Sequence, residues 1–356
     1  MIRNLDHYAI SGPCSCCETV TIGRRSFLAG AAALATTGVA YAQTPDSPHR
    51  IDVHHHIVPP TWFDALKKAK LDNPPMSGWT PQRSIEDMDK AGIATSITSP
   101  TTPQVGFLAA PDAARIARES NEYAKRLMAD HPGRFGVFAM LPMPYIDESL
   151  KEIAYAFDTL NVDGIGMMTS YGDKWLGYPQ FAPVFEELDR RKATVYTHPT
   201  GANCCVNLVQ GLSDATVELG ADTTRTIANL IFSGAAQRYG DINFIFSHGG
   251  GVLTSVAERL EIQMVTTPPY KGKFTRETVD GQLRRFYYDT AQVSNAVTIG
   301  ALAKLVPVSQ IVFGTDYPYR TGAEHVTGLA AGFNTAELKA IDRENALRIL
   351  PRLRTA

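Results

Sequence analysis

Short apolar stretches and longer stretches with helical periodicity alternate along the chain from about residue 50 onward. The short stretches are nearly continuous in apolar and β-branched residues, which is typical of parallel strands buried on both faces. In the longer stretches, apolar residues recur at helical spacing with charged residues between them, which predicts amphipathic helices. Eight strands are predicted, at residues 50–57, 95–100, 135–142, 164–170, 194–199, 243–250, 286–291 and 311–318. The predicted helices include residues 112–129, 149–160, 181–191, 224–239 and 254–265.

This alternation decides the fold class. Eight strands that each lead into a helical or irregular crossover are typical of a (β/α)8 barrel, the TIM-barrel type of α/β fold. An open, doubly wound sheet is the alternative, and it favours a glycine-rich phosphate loop after the first strand. The sequence HHHIVPP, residues 54–60, occupies that position instead. We therefore predict a single barrel over residues 43–356.

The segment before the barrel has the features of an export signal. Arg24 and Arg25 precede an uncharged run of small and apolar residues that ends in Ala-Tyr-Ala at residues 40–42. The order Arg-Arg-Ser-Phe-Leu resembles the twin-arginine signal, and the apolar run is too short for a stable membrane span. We predict a signal peptide over residues 1–42, the twin-arginine export machinery as a partner, and a periplasmic or exported protein without a membrane segment. An uncleaved anchor or a chance arginine pair is the alternative.

Composition narrows the class of protein further. Hydrophobic residues make up 44% of the chain and charged residues 20%, as in soluble globular proteins. The net charge of −2 gives no electrostatic basis for binding nucleic acid or an anionic membrane. Signal cleavage would leave only the adjacent Cys204 and Cys205, and adjacent cysteines rarely form a disulfide because their Cα atoms are too close. A large apolar core is therefore expected to stabilise the fold.

Residues that can bind a metal stand at the carboxyl ends of four predicted strands. They are His54, His55 and His56 on the first strand, His198 on the fifth, His248 on the sixth and Asp316 on the eighth. In barrel enzymes the active site gathers at that end. Because side chains alternate along a strand, His54 and His56 are expected to point into the barrel mouth, and His55 is expected to point toward the helices.

These residue types favour a catalytic metal site. Neutral imidazole suits zinc, manganese or iron, and three histidines with one carboxylate leave room for water or substrate. A single histidine at a strand end is more often structural. Five polar positions at corresponding strand ends, namely His54, His56, His198, His248 and Asp316, are hard to attribute to chance. We expect one divalent metal ion, Zn²⁺ before Mn²⁺, and no organic cofactor.

Four segments carry a resemblance to a known family. DVHHH, YTHP, FSHGGG and FGTDYP, in this order and spacing, resemble the amidohydrolase superfamily. The likeness runs from about Arg50 to the C-terminus and is greatest with the amidohydrolase-related branch of aminocarboxymuconate-semialdehyde decarboxylase and γ-resorcylate decarboxylase. The DVHHH start, the TSYGDKWLG segment and the adjacent cysteines look most like proteins of the 6-methylsalicylate decarboxylase type.

The resemblance implies a metal-dependent hydrolase type of barrel and assigns roles to its residues. It implies that one divalent metal is bound by His54, His56, His198 and Asp316. His248 corresponds to the histidine that acts as acid/base or orients the substrate. Two-metal relatives often carry a carbamylated lysine at the end of strand four, whereas here that strand ends GMMTSYG and Lys174 comes too late. We therefore predict a mononuclear site.

The resemblance also implies a reaction, namely non-oxidative decarboxylation of a small hydroxylated aromatic acid such as 6-methylsalicylate. The ring carbon must be protonated before carbon dioxide leaves, and His248 and Asp316 are the candidate donors. A mononuclear hydrolase that activates water against a lactone or amide uses the same residues and is the alternative. A non-catalytic binding protein is a third hypothesis, but a decayed site should have lost a ligand or the acid/base residue, and all five are present.

Further residues are assigned on weaker grounds. Trp79, Tyr171 and Trp175 are candidates to wall an aromatic pocket, although aromatic side chains more often pack in cores. Arg320 is a candidate to hold the substrate carboxylate, although a surface ion pair is the commoner role. Asp289 stands at a strand end and is expected to orient a ligand histidine. We also expect a homodimer.

Overall fold

All eight predicted strands form in the computed structural model, which describes residues 49–268 and 270–354. They are β1 (Arg50–His56), β2 (Ile93–Ser99), β3 (Phe135–Met140), β4 (Gly164–Met168), β5 (Thr194–His198), β6 (Asn243–Phe246), β7 (Tyr287–Asp289) and β8 (Ile311–Val312). The strands pair in parallel in this order, so the predicted (β/α)8 barrel is confirmed.

The barrel closes between its last strand and its first. The backbone N–H of Val53 donates to the carbonyl of Phe313 at 2.9 Å, and the N–H of Asp316 donates to the carbonyl of His54 at 2.8 Å. The N–H of His56 donates to the carbonyl of Tyr317, also at 2.8 Å. This seam between β8 and β1 brings Asp316 beside His54 and His56, three of the side chains that can bind a metal.

Helices cover the outside of the barrel. They are α1 (Pro60–Ala69), α2 (Pro74–Ser77), α3 (Pro81–Ala91), α4 (Ala110–Asp130), α5 (Ile146–Tyr155), α6 (Ala182–Arg190), α7 (Glu218–Phe232), α8 (Ala235–Arg238), α9 (Leu253–Thr266), α10 (Arg276–Arg285), α11 (Ala296–Leu305), α12 (Gly322–Ala330), α13 (Thr335–Lys339) and α14 (Asn345–Ile349). Each predicted helix is present, but residues 224–239 divide into α7 and α8. Gly234 separates them at φ +78°, a left-handed conformation that glycine adopts without steric cost.

Shorter elements complete the chain. Five-residue π-helical turns follow α5 at Ala156–Leu160 and α13 at Ala340–Glu344. Two-residue strands at Ser170–Tyr171 and Lys174–Trp175 pair as an antiparallel hairpin after β4. Single 3-10 turns lie at Pro179–Phe181, Asn203–Cys205, Asp214–Thr216, His248–Gly250, Val308–Gln310 and Pro351–Arg354.

The C-terminal segment closes the end of the barrel where the strands begin. Ile349, Leu350 and Leu353 are buried in one cluster with interior strand residues such as Ile51. The Thr194 hydroxyl, at the start of β5, donates to the carbonyl of Ile349 at 2.6 Å. With that end filled, the carboxyl ends of the strands are left for function, as in other barrels.

The predicted signal peptide, residues 1–42, lies outside the described residues, so its existence and its boundary stay predictions. Among the residues that the structure describes, no helix has both the length and the apolar character needed to cross a bilayer. Cys204 and Cys205 are both free thiols, with their Sγ atoms 2.6 Å apart.

Candidate metal centre

Five side chains meet at the carboxyl end of the barrel. The Nε2 atoms of His54 and His56 lie 3.2 Å apart, and Asp316 Oδ1 lies 3.2 Å from the first and 3.1 Å from the second. His54, His198, His248 and Asp316 each bring one potential ligand atom within 4.8 Å of the others. Residue exposure runs from 0% for His54 to 7% for His248, so the cluster is largely shielded from bulk water.

The spacing of these atoms fits a single metal ion. Ligand atoms about 2.0–2.2 Å from a shared ion are separated by roughly 2.8–3.6 Å in tetrahedral or octahedral geometry. The three separations among His54, His56 and Asp316, 3.1–3.2 Å, fall within that range. A cation between the two imidazole nitrogens would also remove the repulsion between their lone pairs.

Hydrogen bonds turn the imidazoles of the three predicted ligands the same way. His54 Nδ1 donates to Asp289 Oδ2 at 2.8 Å, His56 Nδ1 to the carbonyl of Ser99 at 3.2 Å, and His198 Nδ1 to the carbonyl of Pro199 at 2.8 Å. Since an oxygen accepts from Nδ1–H in every case, Nε2 faces the cluster in each ring and is the nitrogen with the lone pair when the imidazole is neutral. Such partners fix the tautomer and the ring orientation of metal-binding histidines.

Electrostatics favour a cation at the same point. Burial and the neighbouring His56 and His54 hold the pKa of His198 well below its ordinary value, so its imidazole is neutral. Burial also lowers the pKa of His54, but Asp289 and Asp316 outweigh it and raise that pKa to about 10. The carboxylates of Asp289 and Asp316 therefore give the cluster an excess of negative charge. Protonation of His54 compensates part of it, and a bound divalent ion would compensate it in place of that proton.

His55 points away from the cluster, as strand alternation predicts. Its Nδ1 lies 3.1 Å from Asp52 Oδ2, and its Nε2 lies 2.9 Å from the hydroxyl of Ser84 on α3. Its ring stacks on Tyr317 at a centroid distance of 4.8 Å. Its two ring nitrogens therefore have partners outside the cluster, Asp52 on β1 and Ser84 on α3.

His248 faces the cluster with one ring nitrogen unpartnered. Its Nε2 is buried without a hydrogen bond and lies 3.4 Å from Asp316 Oδ2. Its backbone stands at φ +54°, and the backbone N–H donates to Asp289 Oδ1 at 2.9 Å. A left-handed conformation costs a non-glycine residue on the order of 1–2 kcal/mol, and such strain often occurs at functional sites.

Asp289 is therefore shared between two site residues. One carboxylate oxygen accepts from the imidazole of His54, and the other accepts from the backbone of His248 and from Ala291 N–H at 3.0 Å. The orienting contact expected from the sequence is present in this geometry, and the link to the His248 backbone was not anticipated.

The three candidate aromatic residues lie in different parts of the structure. Tyr171 and its hairpin line a cavity of about 450 Å³ formed by the loops after β2, β4 and β5. Trp175 is on the same hairpin, where its Nε1 donates to the buried Asp222 at 2.7 Å. Trp79 is packed elsewhere, because its Nε1 donates to Ser84 Oγ at 3.0 Å on the outer side of β1. Trp79 is thus not brought to the mouth.

Arg320 is also outside the cluster. Its guanidinium pairs with Glu324 on α12 at 2.6 Å, with both side chains nearly half exposed. This is the surface ion pair that the sequence left as the commoner role. Gln292, by contrast, lies in none of the sequence motifs that indicate the site, yet its side-chain amide donates to Asp316 Oδ2.

The sequence is similar to known proteins over most of its length. The amidohydrolase family matches residues 51–352 of the chain. Decarboxylase yanB of Aspergillus niger is 36% identical over 327 residues, covering 85% of this chain and 88% of that protein. The 6-methylsalicylic acid decarboxylase acuB of Aspergillus aculeatus is 34% identical over 330 residues, covering 86% of this chain and 97% of that protein.

A solved structure shares the fold. A dihydroxybenzoic acid decarboxylase from Polaromonas, crystallised with bound manganese and the inhibitor 2-nitroresorcinol, is similar with a TM-score of 0.74. Its identity is 21%, and the similarity covers 85% of this chain and 97% of that one.

Proposed function

The chain belongs to the amidohydrolase family, and from that premise we propose that it catalyses metal-dependent, non-oxidative decarboxylation of a small hydroxylated aromatic acid. The observation that carries the proposal is the buried cluster of histidines and Asp316, in which Nε2 of His248 lies 3.4 Å from Asp316 Oδ2. A chain of this family with a complete site is expected to be an enzyme, and its curated relatives are decarboxylases.

The substrate class follows from those relatives and from the site. We propose 6-methylsalicylate or a close relative, since the second relative is a 6-methylsalicylic acid decarboxylase. One divalent ion would be held by His54, His56, His198 and Asp316. We propose Zn²⁺ first, because it suits three imidazoles and one carboxylate; the manganese of the Polaromonas enzyme makes Mn²⁺ the alternative. When bound, the ion supplies charge neutralisation and a template that orients the acid.

The residues of the chain then donate one proton to the substrate. His248 Nε2 and Asp316 Oδ2, 3.4 Å apart, form the pair that holds it beside the cluster. The proton goes to the ring carbon that bears the carboxylate. The bond from that carbon to the carboxylate then breaks, carbon dioxide leaves, and the electron pair of the bond restores the aromatic ring. The donor recovers its proton from solvent, so no oxidant or reductant is consumed.

Burial assists this sequence. The cluster residues are at most 7% exposed, so charges within it interact more strongly than they would in water. Asp289 keeps the His248 backbone and the His54 imidazole in fixed relation. The proton donor is therefore held at a constant position relative to the ligands.

The test is a panel of hydroxybenzoates, including 6-methylsalicylate, incubated with metal-replete protein in deuterated solvent. We expect carbon dioxide release and one deuterium on the carbon that carried the carboxylate. Lactones and amides form the control set. Protein that opens lactones but leaves every hydroxybenzoate intact would overturn the proposal.

We further propose that the protein is exported by the twin-arginine route and acts as a homodimer. The support for export is the sequence pattern of residues 1–42, with Arg24 and Arg25 before Ala-Tyr-Ala. Mass spectrometry of exported protein should find an N-terminus near Gln43, and Arg24→Lys with Arg25→Lys should block export. Light scattering after size-exclusion chromatography measures the mass in solution; a monomer would contradict the homodimer.

A further inference from the structure

Gln292 connects the metal cluster to α12. It follows β7 by three residues and stands at φ +59°, where a side chain other than glycine is strained. Its backbone N–H donates to Nε2 of the buried His325 at 2.9 Å. Nδ1 of His325 donates to the carbonyl of Thr321 at 2.8 Å, so this imidazole is the neutral tautomer with its proton on Nδ1. His325 thus holds the strained backbone of Gln292 in place.

The side chain of Gln292 ends on Asp316. Its Nε2 donates to Asp316 Oδ2, while Asp316 Oδ1 lies 3.1–3.2 Å from Nε2 of His56 and His54. The two oxygens of this carboxylate therefore face different partners. Oδ1 faces the ligand histidines, and Oδ2 faces Gln292 and His248.

A carboxylate without such a partner rotates easily. The terminal torsion of aspartate is broad and nearly two-fold, so its oxygens exchange places or turn together toward an ion at little cost. Gln292 is exposed whereas Asp316 is 3% exposed, so the amide forms part of the cover over the carboxylate. A neutral amide fixes the direction of Oδ2 without neutralising the charge that a cation needs.

We propose that Gln292 is a positioning residue that keeps Oδ1 of Asp316 directed at the metal and Oδ2 directed at His248. This inference rests on the proposed metal centre. It assigns a role to a residue that neither the sequence motifs nor the family resemblance marked.

The test compares three proteins by metal affinity, measured by competition with a chelator. Gln292→Met keeps the length of the side chain but removes the donor, and we expect the dissociation constant to rise about 10–100-fold. Gln292→Glu also removes the donor but adds a negative charge beside the cluster, and we expect it to bind the ion more tightly than Gln292→Met because that charge attracts the cation.

The control is Gln82→Met. Gln82 is also exposed and also donates its amide to a carboxylate, Glu86 Oε1 at 3.1 Å, but it lies on α3 away from the cluster. We expect this variant to bind metal as the wild type does. The absorption spectrum of the Co²⁺-substituted protein gives a second readout, which should change in Gln292→Met and not in Gln82→Met.

The outcomes separate the two levels of the argument. If wild type and Gln82→Met fail to bind metal, the proposed centre itself is wrong. If they bind and Gln292→Met binds equally well with an unchanged Co²⁺ spectrum, only the role of Gln292 is overturned.

Discussion

Replacing Asp289 by asparagine tests how the ligand imidazoles are oriented. In the structure, Oδ1 accepts from two backbone N–H groups, those of His248 at 2.9 Å and Ala291 at 3.0 Å. Oδ2 accepts from Nδ1 of His54 at 2.8 Å. The side chain in Asp289→Asn has one oxygen, and we expect that oxygen to accept from the two backbone N–H groups. The amide N–H₂ then faces His54 Nδ1, which must become an acceptor.

That exchange reverses the tautomer of His54. If Nδ1 accepts, the proton moves to Nε2, and Nε2 is the atom that faces His56 and Asp316. A protonated nitrogen has no lone pair for a metal. Loss of such an orienting partner typically costs 10–100-fold in metal affinity, or about 1.4–2.8 kcal/mol. We expect Asp289→Asn to reach or exceed this range.

The assay is chelator competition on Asp289→Asn and Asp289→Ala, with nitrogen-15 NMR of the histidines to report the tautomer. Asp289→Ala leaves space for water to accept from Nδ1, so His54 keeps its tautomer. We therefore expect the nearly isosteric Asp289→Asn to bind metal more weakly than Asp289→Ala. Wild-type affinity in Asp289→Asn, or a tautomer that does not change, would refute the reasoning.

Four further substitutions test the other parts of the site. His55→Gln should keep the metal and His56→Gln should lose it, because only His56 presents a ring nitrogen to the cluster; equal metal content in the two purified variants would contradict the strand register. His248→Ala should keep the metal but lose on the order of 10²–10⁴ in kcat; an unchanged kcat would remove His248 from the chemistry. Trp175→Phe should raise KM more than it lowers kcat, because it frees the hairpin from Asp222 and leaves the cluster intact. Steady-state kinetics check this, and a fall in kcat alone would contradict it.

The strands and the orientation of β1 follow from local rules. Period-two alternation places His54 and His56 on one face and His55 on the other, and the contact of His55 with Ser84 on α3 agrees. The contact of His55 with Asp52 does not follow from alternation, because the register of β1 shifts between these two residues. The barrel follows from the repeated strand–helix pattern, because buried parallel strands have a recognisable composition.

Contacts between distant parts of the chain could not be predicted in the same way. Trp79 is an aromatic residue of a kind that lines pockets, but its partner Ser84 contacts His55 on the outer face of β1, and that contact joins residues 29 positions apart. Gln292 has no neighbour in the sequence that reveals Asp316 as its partner, because the contact depends on how two loops meet. Arg320 is different, since Glu324 lies four residues on, at the spacing of a helical ion pair. That signal was available in the sequence.

The seam between β8 and β1 has a consequence for when the metal is acquired. His56 and Asp316 are 260 positions apart, and the backbone bonds of the seam are what bring them together. During synthesis, a chain that has emerged as far as His198 already carries three imidazoles but lacks the aspartate, so it offers an incomplete and unclosed set of donors. Selective uptake must therefore wait until the last strand has been made and docked. The compartment in which folding finishes, and the metal ions free within it, then decide which ion the enzyme carries.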